Sequence, residues 1–415
     1  MLKKLLLLVA VLNLTYGTYY YYQKNSLNPK FSDNFYLLEE ASDKLKSSYV
    51  DESKVGNEDL TKGALKGMLR GLDPYSTYYT PSQNKDQEED LKGKFAGVGI
   101  LFRVEDDGVY VRKVYEDSPA EKAGVQGGDY VVQANEVSLI GLDSRGVVGE
   151  LKGEPGSKLD VHVLRGEDKL TLTLERGYVS VPTIKLAKML DDEIAYMYIS
   201  QFGASTASEF RKKVTELTES GMKGLVLDLR FNGGGYLNSA VGICSVFLEY
   251  GSLVAYKEGR DADREDLLDM TDESLDHIPL VILVNEDSAS ASEVTAACLR
   301  DYKRCILVGT KTFGKGSVQV ITQLSNGGSI RFTIAKYFTP GGYIIHGKGL
   351  DPDIDVGLNS SEKQDLSNQI SNFSTVDSED PKDKQFVKAY EALQVELKSS
   401  RTKAPFFVEL TNDDE

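Results

Sequence analysis

The chain has 415 residues, of which 40% are hydrophobic and 27% are charged, a composition typical of a globular protein with room for two or three domains. Its formal net charge of −16 argues against a general nucleic-acid-binding surface or an anionic-membrane surface. The three cysteines (Cys244, Cys298 and Cys305) show neither a disulfide framework nor a metal-ligand spacing. The sequence therefore indicates no metal, no redox chemistry and no cofactor.

The N-terminus carries a short basic region followed by an apolar run, which is the pattern of an export signal. Lys3 and Lys4 precede 5-LLLLVAVL-12, and the stretch stays uncharged up to Lys24, nearly long enough for one transmembrane helix. No clean A-x-A cleavage site follows. We therefore predict that residues 1–24 are a signal peptide or an N-terminal membrane anchor, and that the remainder lies on the periplasmic or cell-envelope side.

Two regions of different character follow this segment. Residues 25–90 are predicted to be a helical region, because apolar residues recur at spacings of three and four in 35–50 and 60–72. Residues 91–176 change to short β segments separated by turns, with two short helical stretches among them. This pattern predicts a compact β-rich domain.

The remainder of the chain divides into a core and a C-terminal segment. Residues 177–356 alternate apolar strands with helical stretches, which predicts a layered α/β core with largely parallel strands. Residues 357–415 form the last region. Within it, 357–380 is rich in Ser, Asn and Asp and is predicted to be a linker, and 382–397 is predicted to be a helix with one apolar face.

The segment 285-NEDSASASEV-294 places Ser288, Ser290 and Ser292 between an apolar strand and a predicted helix. Ser290 and Glu293 fit the S-x-x-E capping box, in which the serine satisfies free N–H groups at the start of a helix. The same position would suit a nucleophile, because the N–H groups and the helix dipole favour developing negative charge. The local sequence leaves both interpretations open.

A serine nucleophile needs a base. The chain has three histidines: His162, His277 and His346. None lies in a recognisable catalytic motif, although a Ser-His-Asp site could still be assembled in space. The better candidate is Lys315 in 312-TFGKGSVQV-320, because the flanking glycines predict that it projects from a tight turn.

Lys315 has two interpretations. As a base near neutral pH it would need its pKa lowered by burial away from carboxylates. As a surface lysine in a flexible glycine turn it would need no special environment. If residues 315–319 are extended, Gln319 shares a face with Lys315 and could hold its amine in place.

Two glycine-rich segments are candidate binding loops. In 228-DLRFNGGGYL-237, three consecutive glycines at a strand-to-helix junction let N–H groups approach a bound oxygen. A plain turn needs fewer glycines, and the phosphate-loop sequence pattern is absent. The three glycines therefore favour an oxyanion hole over a plain turn or a phosphate site. In 95-FAGVGILF-102, the glycines expose N–H groups that could hold the carboxylate of a peptide adding as an extra strand.

These motifs together resemble those of the carboxy-terminal processing (tail-specific) proteases, serine peptidases with a Ser-Lys dyad and an inserted PDZ domain. The resemblance covers roughly residues 60–356, and the order of the motifs makes it specific. The matching segments are 73-DPYSTYYTP-81, 95-FAGVGI-100, 118-SPAEKAGVQGGD-129, 228-DLRFNGGG-235, 288-SASASEV-294, 311-KTFGKGSVQ-319, 336-KYFTPGG-342 and 347-GKGLDPDIDV-356.

The resemblance implies a fold and a division of the chain. It implies a crotonase-like (ClpP/crotonase) layered α/β serine protease core over residues 177–356. A β-rich PDZ domain would be inserted over residues 91–176, and the N- and C-terminal segments would be helical. The terminal helices are a natural site of self-association, so a homo-oligomer is expected.

The resemblance also implies roles for individual residues. Ser290 would be the nucleophile and Lys315 the general base, accompanied by Gln319. The oxyanion hole would combine the N–H of Ala291 with one from Gly234 or Gly235. The PDZ residues that would bind the peptide C-terminus are Gly97, Val98, Gly99 and Ile100.

Three positions depart from the family pattern. Gly233 stands where proline is common, which loosens the glycine turn but keeps its N–H groups. Asp287 stands where glycine is frequent and adds a negative charge near the serines. Lys152 stands where many members carry arginine in the PDZ domain, and lysine does not reproduce the fork of arginine.

The sequence therefore predicts an exported serine endopeptidase that recognises protein C-terminal tails through its PDZ domain. Its partners would be protein substrates with exposed tails, not nucleic acid, together with the membrane if the N-terminal segment stays uncleaved. The alternative is a non-catalytic PDZ scaffold or chaperone that only binds tails. A crotonase-like acyl-CoA enzyme is a weaker alternative, since it would need neither a PDZ domain nor an export signal.

Overall fold

The computed structural model describes residues 34–84, 94–260, 263–269, 275, 277–371 and 383–402. The predicted signal or anchor segment, residues 1–24, lies outside the described residues. The chain divides into two compact units, the first reaching Thr80 and including Ser329–Phe332, and the second containing the rest. Within the described ranges, no helix is both long enough and apolar enough to span a membrane.

The first unit is mainly helical, as predicted for this part of the chain. Its elements are α1 (Phe35–Ser48), a 3₁₀ turn (Glu52–Lys54), α2 (Asn57–Arg70) and strand β1 (Thr77–Tyr79). Strand β1 pairs antiparallel with Ser329–Arg331. After α2 ends at Arg70, the Asp73 carboxylate stabilises the following turn by accepting the backbone N–H groups of Tyr75 and Ser76, at 2.8 Å and 2.7 Å.

The β-rich part of the second unit contains two helices, as predicted. Its elements are β2 (Lys94–Gly97), β3 (Ile100–Glu105), β4 (Gly108–Val114), α3 (Pro119–Lys122), β5 (Tyr130–Ala134), β6 (Val137–Ser138), α4 (Ser144–Leu151), β7 (Lys158–Arg165), β8 (Asp168–Glu175) and β9 (Gly177–Ser180). The main sheet has the order β3-β4-β5-β7-β8, and β2 pairs with β9. Alternate residues of β7 are buried, so its apolar side chains face one core.

The α/β core is built on a six-stranded sheet. Its elements are β10 (Ile184–Met189), β11 (Ile194–Ile199), α5 (Thr206–Glu219), β12 (Gly224–Asp228), α6 (Leu237–Cys244), β13 (Leu253–Gly259), β14 (Arg264–Leu268), β15 (Leu280–Val284), α7 (Ala291–Asp301), β16 (Cys305–Gly309), β17 (Ser317–Gln323), β18 (Ser329–Phe338) and β19 (Ile354–Asp355). The sheet order is β10-β11-β12-β15-β16-β19, and all neighbours from β11 onward are parallel.

Both faces of this sheet are covered, which explains the continuous apolar runs of its central strands. Every residue of β11, β12 and β15 is buried. One face packs against α5, α6 and α7. The other face packs against two helices near the C-terminus, α8 (Ser360–Ser371) and α9 (Lys384–Thr402).

Helix α8 corrects one prediction, because 357–380 is not a simple linker. Asn359 and Glu362 form a reciprocal cap: each accepts the backbone N–H of the other, at 3.0 Å and 2.9 Å. Leu366 and Ile370, four residues apart, are buried against the sheet. The polar composition hid this short amphipathic helix. The predicted last helix is confirmed as α9, and residues 372–380 lie outside the described residues.

Candidate active site

The carboxyl ends of three parallel strands bring the candidate residues to one edge of the sheet. Strands β12, β15 and β16 are neighbours in register, with Asp228 beside Leu283 and Val284 beside Gly309. The loops that follow them are 229–236 (the glycine loop), 285–290 (the serine loop) and 310–316 (the lysine loop). Sites in parallel α/β sheets form at such an edge, because these loops converge there.

Ser290 adopts a strained backbone conformation at the start of α7. Its φ of 57° and ψ of −115° differ from the extended geometry of an ordinary helix cap. A non-glycine residue in this region costs on the order of 1–3 kcal/mol and needs support from its surroundings. A serine that only caps a helix does not require such a strained backbone. A nucleophilic serine often does, because the sharp strand-to-helix turn that exposes its hydroxyl is strained. The conformation therefore favours the second interpretation of Ser290.

The two flanking serines are buried and have structural partners. The hydroxyl of Ser288 donates to the carbonyl of Leu229 at 2.8 Å and accepts the backbone N–H of Asn285 at 2.9 Å. The hydroxyl of Ser292 donates to the carbonyl of Asn232 at 2.8 Å. These bonds fasten the serine loop to the glycine loop on both sides of Ser290.

A single buried carboxylate joins the serine loop to the lysine loop. Oε2 of Glu293 accepts the backbone N–H of Ser290 at 2.9 Å and that of Lys315 at 2.8 Å. Oε1 accepts the hydroxyl of Thr312 at 2.5 Å and the N–H of Gly314 at 2.7 Å. Glu293 is fully buried. Burial raises the pKa of its carboxyl, and the four hydrogen bonds partly offset that rise.

The glycines around Lys315 are explained by close packing rather than by flexibility. A Cβ on Gly316 would lie 2.4 Å from the backbone nitrogen of His346, and one on Gly314 would lie 2.9 Å from that of Gly349. Lys315 itself is half-buried and precedes β17, which begins at Ser317. Gln319 lies in β17 and is also half-buried. The lysine is thus held in a fixed loop.

The glycine loop lies directly against the serine loop. Gly234 has a φ of 93°, and a Cβ on it would lie 2.6 Å from the Ala289 carbonyl oxygen, 2.8 Å from the Ala291 nitrogen and 2.8 Å from Cβ of Ser290. A Cβ on Gly235 would lie 2.1 Å from the Phe202 carbonyl oxygen. Both positions therefore require glycine. The resulting contact brings the three predicted oxyanion-hole residues together.

Asn232 organises the glycine loop from inside. It is fully buried, and its Oδ1 accepts the N–H of Gly234 at 2.9 Å while its Nδ2 donates to the carbonyl of Ile199 at 2.8 Å. Its own carbonyl accepts the N–H of Ala289 at 3.0 Å. Because the Gly234 N–H is engaged within the loop, Gly235 is the better placed of the two glycines to serve a ligand.

Two of the three departures from the family pattern can be placed here. A Cβ on Gly233 would meet nothing within 4 Å, so this position does not require glycine for space. The Asp287 side chain is exposed, and its backbone N–H donates to Oδ1 of Asn285 at 3.2 Å. Asp287 therefore places its charge in solvent at the outer side of the serine loop.

The β-rich domain carries a separate cavity of about 230 Å³ between β3 and α4. Its lining is apolar apart from one lysine and comprises Phe95, Gly97, Val98, Gly99, Ile100, Phe102, Val148, Leu151 and Lys152. All four residues predicted to bind a peptide C-terminus line it. Gly99 has a φ of 85°, and a Cβ there would lie 2.3 Å from Cβ of Ser118. Lys152 lies over the ring of Phe95, with Nζ 5.9 Å from the centroid.

The comparisons with known proteins agree with this arrangement. The sequence model of peptidase family S41 matches residues 193–356, and that of a PDZ domain matches residues 96–175. The chain is 32% identical over 354 residues to a Staphylococcus epidermidis protein described as a CtpA-like serine protease, which spans 85% of this chain and 71% of that protein. This chain belongs to peptidase family S41. It is a carboxy-terminal processing serine protease with a PDZ domain.

Two further relatives are consistent with this membership. A carboxy-terminal-processing protease of Bartonella bacilliformis is 35% identical over 317 residues, or 74% of this S41 chain and 72% of its own. A solved structure from Bacteroides fragilis, described as an S41 protease, shares the fold with a TM-score of 0.50 at 16% identity, covering 86% of this chain and 97% of that one.

Sequence reasoning missed most of the residues that hold this S41 site together. It treated Glu293 only as part of a cap and gave no role to Asn232 or Asn285. The S-x-x-E spacing was the one available signal for Glu293, but its link to Lys315 spans 22 residues of sequence. In the described ranges, no group of three or more His, Cys, Asp or Glu side chains is arranged to hold a metal ion.

Replacing Glu293 with glutamine should uncouple the two loops. A glutamine NH₂ faces at least one of the four donors, so buried N–H or O–H groups lose their acceptor at about 1–3 kcal/mol each. We expect kcat to fall by about 100-fold at temperatures where the variant is folded. Glu209→Gln is the matched control, because that glutamate accepts the backbone N–H groups of Thr183 and Ile184 outside these loops. Equal kcat losses in both variants would contradict the role of Glu293.

Adjacent glycines provide a second test. Gly234→Ala forces a Cβ into the serine loop at a positive φ, so kcat should fall by about 100-fold or more, as when one oxyanion-hole donor is lost. Gly233→Ala meets no atom within 4 Å and should keep kcat within about twofold. Steady-state cleavage of a tailed protein substrate measures both. A fully active Gly234→Ala variant would show that the close contact has no part in catalysis.

Proposed function

We propose that this protease hydrolyses peptide bonds in the C-terminal tails of proteins with a Ser290–Lys315 dyad. The observation that carries the proposal is the shared acceptor Oε2 of Glu293, which holds the backbone of both residues in one buried hydrogen-bond network. The strained Ser290 backbone supports it, since a cap alone has no need of that geometry.

The steps follow from the placement of these groups. The Ser290 hydroxyl attacks the scissile carbonyl carbon while the neutral Lys315 amine takes its proton. The N–H groups of Ala291 and Gly235 stabilise the tetrahedral oxyanion, each donor contributing roughly 3–4 kcal/mol in comparable enzymes. Lys315 then protonates the leaving amine, and water hydrolyses the acyl-enzyme in the reverse sense. Gln319, in β17 after the lysine loop, orients the amine.

The PDZ domain is proposed to select the tail. Its cavity is lined by the Gly97–Ile100 segment, whose N–H groups suit a terminal carboxylate, and the other lining side chains are apolar apart from Lys152. A tail that ends in an apolar residue fits this lining. Lys152, which also lines the cavity, offers the carboxylate a single positive charge without the two-pronged hydrogen bonding of an arginine. A solved complex of a carboxy-terminal protease PDZ domain with a peptide exists for Vibrio cholerae.

The proposal also covers where the protein is located, how it assembles and the type of its core fold. The basic and apolar character of residues 1–24 supports export to the periplasmic or cell-envelope side, with the segment either cleaved or kept as an anchor. Helix α1 exposes apolar side chains, among them Phe35, Leu37 and Leu38, which supports self-association through the N-terminal helices. The parallel, two-sided sheet supports a crotonase-like core.

The dyad is tested by two alanine substitutions, each with a matched control. Ser290→Ala and Lys315→Ala should each lower kcat by at least about a thousandfold, because nucleophile and base act as one unit. Ser325→Ala and Lys212→Ala change exposed residues outside the three loops and should stay near the wild-type rate. Mass spectrometry of a substrate with a disordered tail gives the rates and the cleavage positions. A Lys315→Ala variant with wild-type kcat would exclude lysine as the base.

Tail selection is tested in the PDZ cavity. Val148→Glu places a carboxylate in the apolar wall, where it repels a terminal carboxylate and resists burial. We expect the Kd for a tail peptide to rise at least about tenfold, measured on the Ser290→Ala background to prevent cleavage. Val137→Glu is the control, because Val137 is similarly exposed (41% against 37% for Val148) but does not line the cavity. Equal binding by an amidated tail would contradict carboxylate recognition.

A further inference from the structure

A buried arginine lies near the start of the glycine loop and is held by two carboxylates. Arg230 is fully buried, two residues beyond the end of β12. Its Nε lies 3.0 Å from Oδ1 of Asp228 and its Nη2 lies 2.6 Å from Oδ2. From the other side, Oδ1 of Asp383 accepts Nη1–H at 3.0 Å and Oδ2 accepts Nη2–H at 2.9 Å. The guanidinium is therefore clamped in a fixed plane.

The second carboxylate belongs to the start of the C-terminal helix. Oδ1 of Asp383 also accepts the backbone N–H of Phe386 at 3.0 Å, so Asp383 caps α9. Gln385, in the first turn of the helix, accepts Nη1–H of Arg230 at 3.1 Å and donates to the carbonyl of Val356 at 2.9 Å. Although burial by itself would raise the pKa of Asp383, the Arg230 guanidinium holds that pKa below its usual range.

Arg230 is connected by the chain itself to the active-site loops. The next residue, Phe231, has a φ of 59°, and its N–H donates to Oδ1 of Asn285 at 2.9 Å. Asn232 follows and bonds to both Ala289 and Gly234. A rotation of the Arg230 backbone would therefore move the glycine loop against Ser290.

Neutralisation of Arg230 does not require Asp383. Asp228 already supplies one bidentate carboxylate, so the pair Asp228–Arg230 is neutral. A second buried carboxylate leaves the cluster with one net negative charge and adds a desolvation cost of several kcal/mol. What the second carboxylate adds is a fixed orientation, since it holds the guanidinium from the opposite side.

We infer that Asp383 is a positioning residue for catalysis, acting through Arg230 to keep the glycine loop aligned with Ser290. The C-terminal helix is then part of the catalytic machinery, although its capping residue Asp383 lies 93 positions after Ser290 in the chain and the helix contributes no group to the reaction. This inference rests on the proposed roles of Ser290 and of the glycine loop.

The test is Asp383→Asn in the full chain. The asparagine keeps its shape and can still cap α9 with its side-chain oxygen, and Arg230 keeps Asp228, so the protein should fold. It loses only the charged, two-sided clamp. We expect kcat to fall about 10- to 100-fold, as for a small misplacement of a catalytic group. KM and the Kd for a tail peptide should stay within about twofold.

A second variant separates positioning from simple destabilisation. Leu393 is buried on the same helix but packs against Gly224, at the opposite end of β12 from Arg230. Leu393→Val should lower the melting temperature yet leave kcat unchanged while the protein is folded. The inference is overturned if Asp383→Asn keeps kcat within twofold, or if its kcat falls only in proportion to its unfolded fraction, as in Leu393→Val.

Hydrogen exchange tests the same inference without relying on cleavage. In Asp383→Asn, amide exchange should rise by at least about tenfold in peptides covering residues 229–236 and remain unchanged in the PDZ domain. Unchanged exchange in the glycine loop would overturn the inference even if activity fell. Conversely, a wild type that cleaves no tail would refute the proposed function, while faster exchange in Asp383→Asn would still demonstrate the positioning role.

Discussion

The candidate active site depends on the buried carboxylate of Glu293. The serine loop and the lysine loop follow two neighbouring strands. Their separation is fixed only if hydrogen bonds connect one loop to the other. Here one carboxylate accepts four donors from both loops, including the backbone N–H groups of Ser290 and Lys315. A carboxylate is the group that can do this, because it only accepts and offers about four lone-pair directions.

The same arrangement explains how strain at Ser290 is tolerated. The backbone conformation of Ser290 costs free energy that its own hydrogen bonds must offset. Ser288 and Ser292 are bonded to the glycine loop on either side, and Glu293 holds the N–H of Ser290 itself. Ser290 between them is half-buried, and its backbone is fixed on three sides.

Two groups of buried charge lie at the edge of the sheet that carries the candidate site. Glu293 lies under the serine and lysine loops, and the Asp228–Arg230–Asp383 cluster lies behind the glycine loop. The surrounding strands are apolar on both faces, since helices cover the sheet from each side. In such surroundings an unpaired charge is costly, so each charged group is held in a single geometry by its partners. That rigidity is what preorganised catalysis requires.

The sequence by itself predicted the order of the helical, β-rich and α/β regions, the strand and helix pattern of the core, and the candidate residues for catalysis. The periodicity of the central strands predicted their burial, and the motifs around Ser290, Lys315 and the glycines predicted a serine peptidase with a PDZ domain. The strand periodicity and the motifs are local features, because each is contained in a short segment of the chain.

Only the tertiary structure decided which partners those residues have. The carboxylate of Glu293 reaches a loop 22 positions away, and Arg230 meets Asp383 across 153 positions. The spacing of residues within a short motif does not indicate such distant pairs. The polar stretch 357–380 was misjudged for a similar reason: α8 is held by Leu366 and Ile370 packing on a distant sheet. Contacts between remote segments are set by how the parallel strands and their covering helices pack together, and they become visible only once the chain is folded.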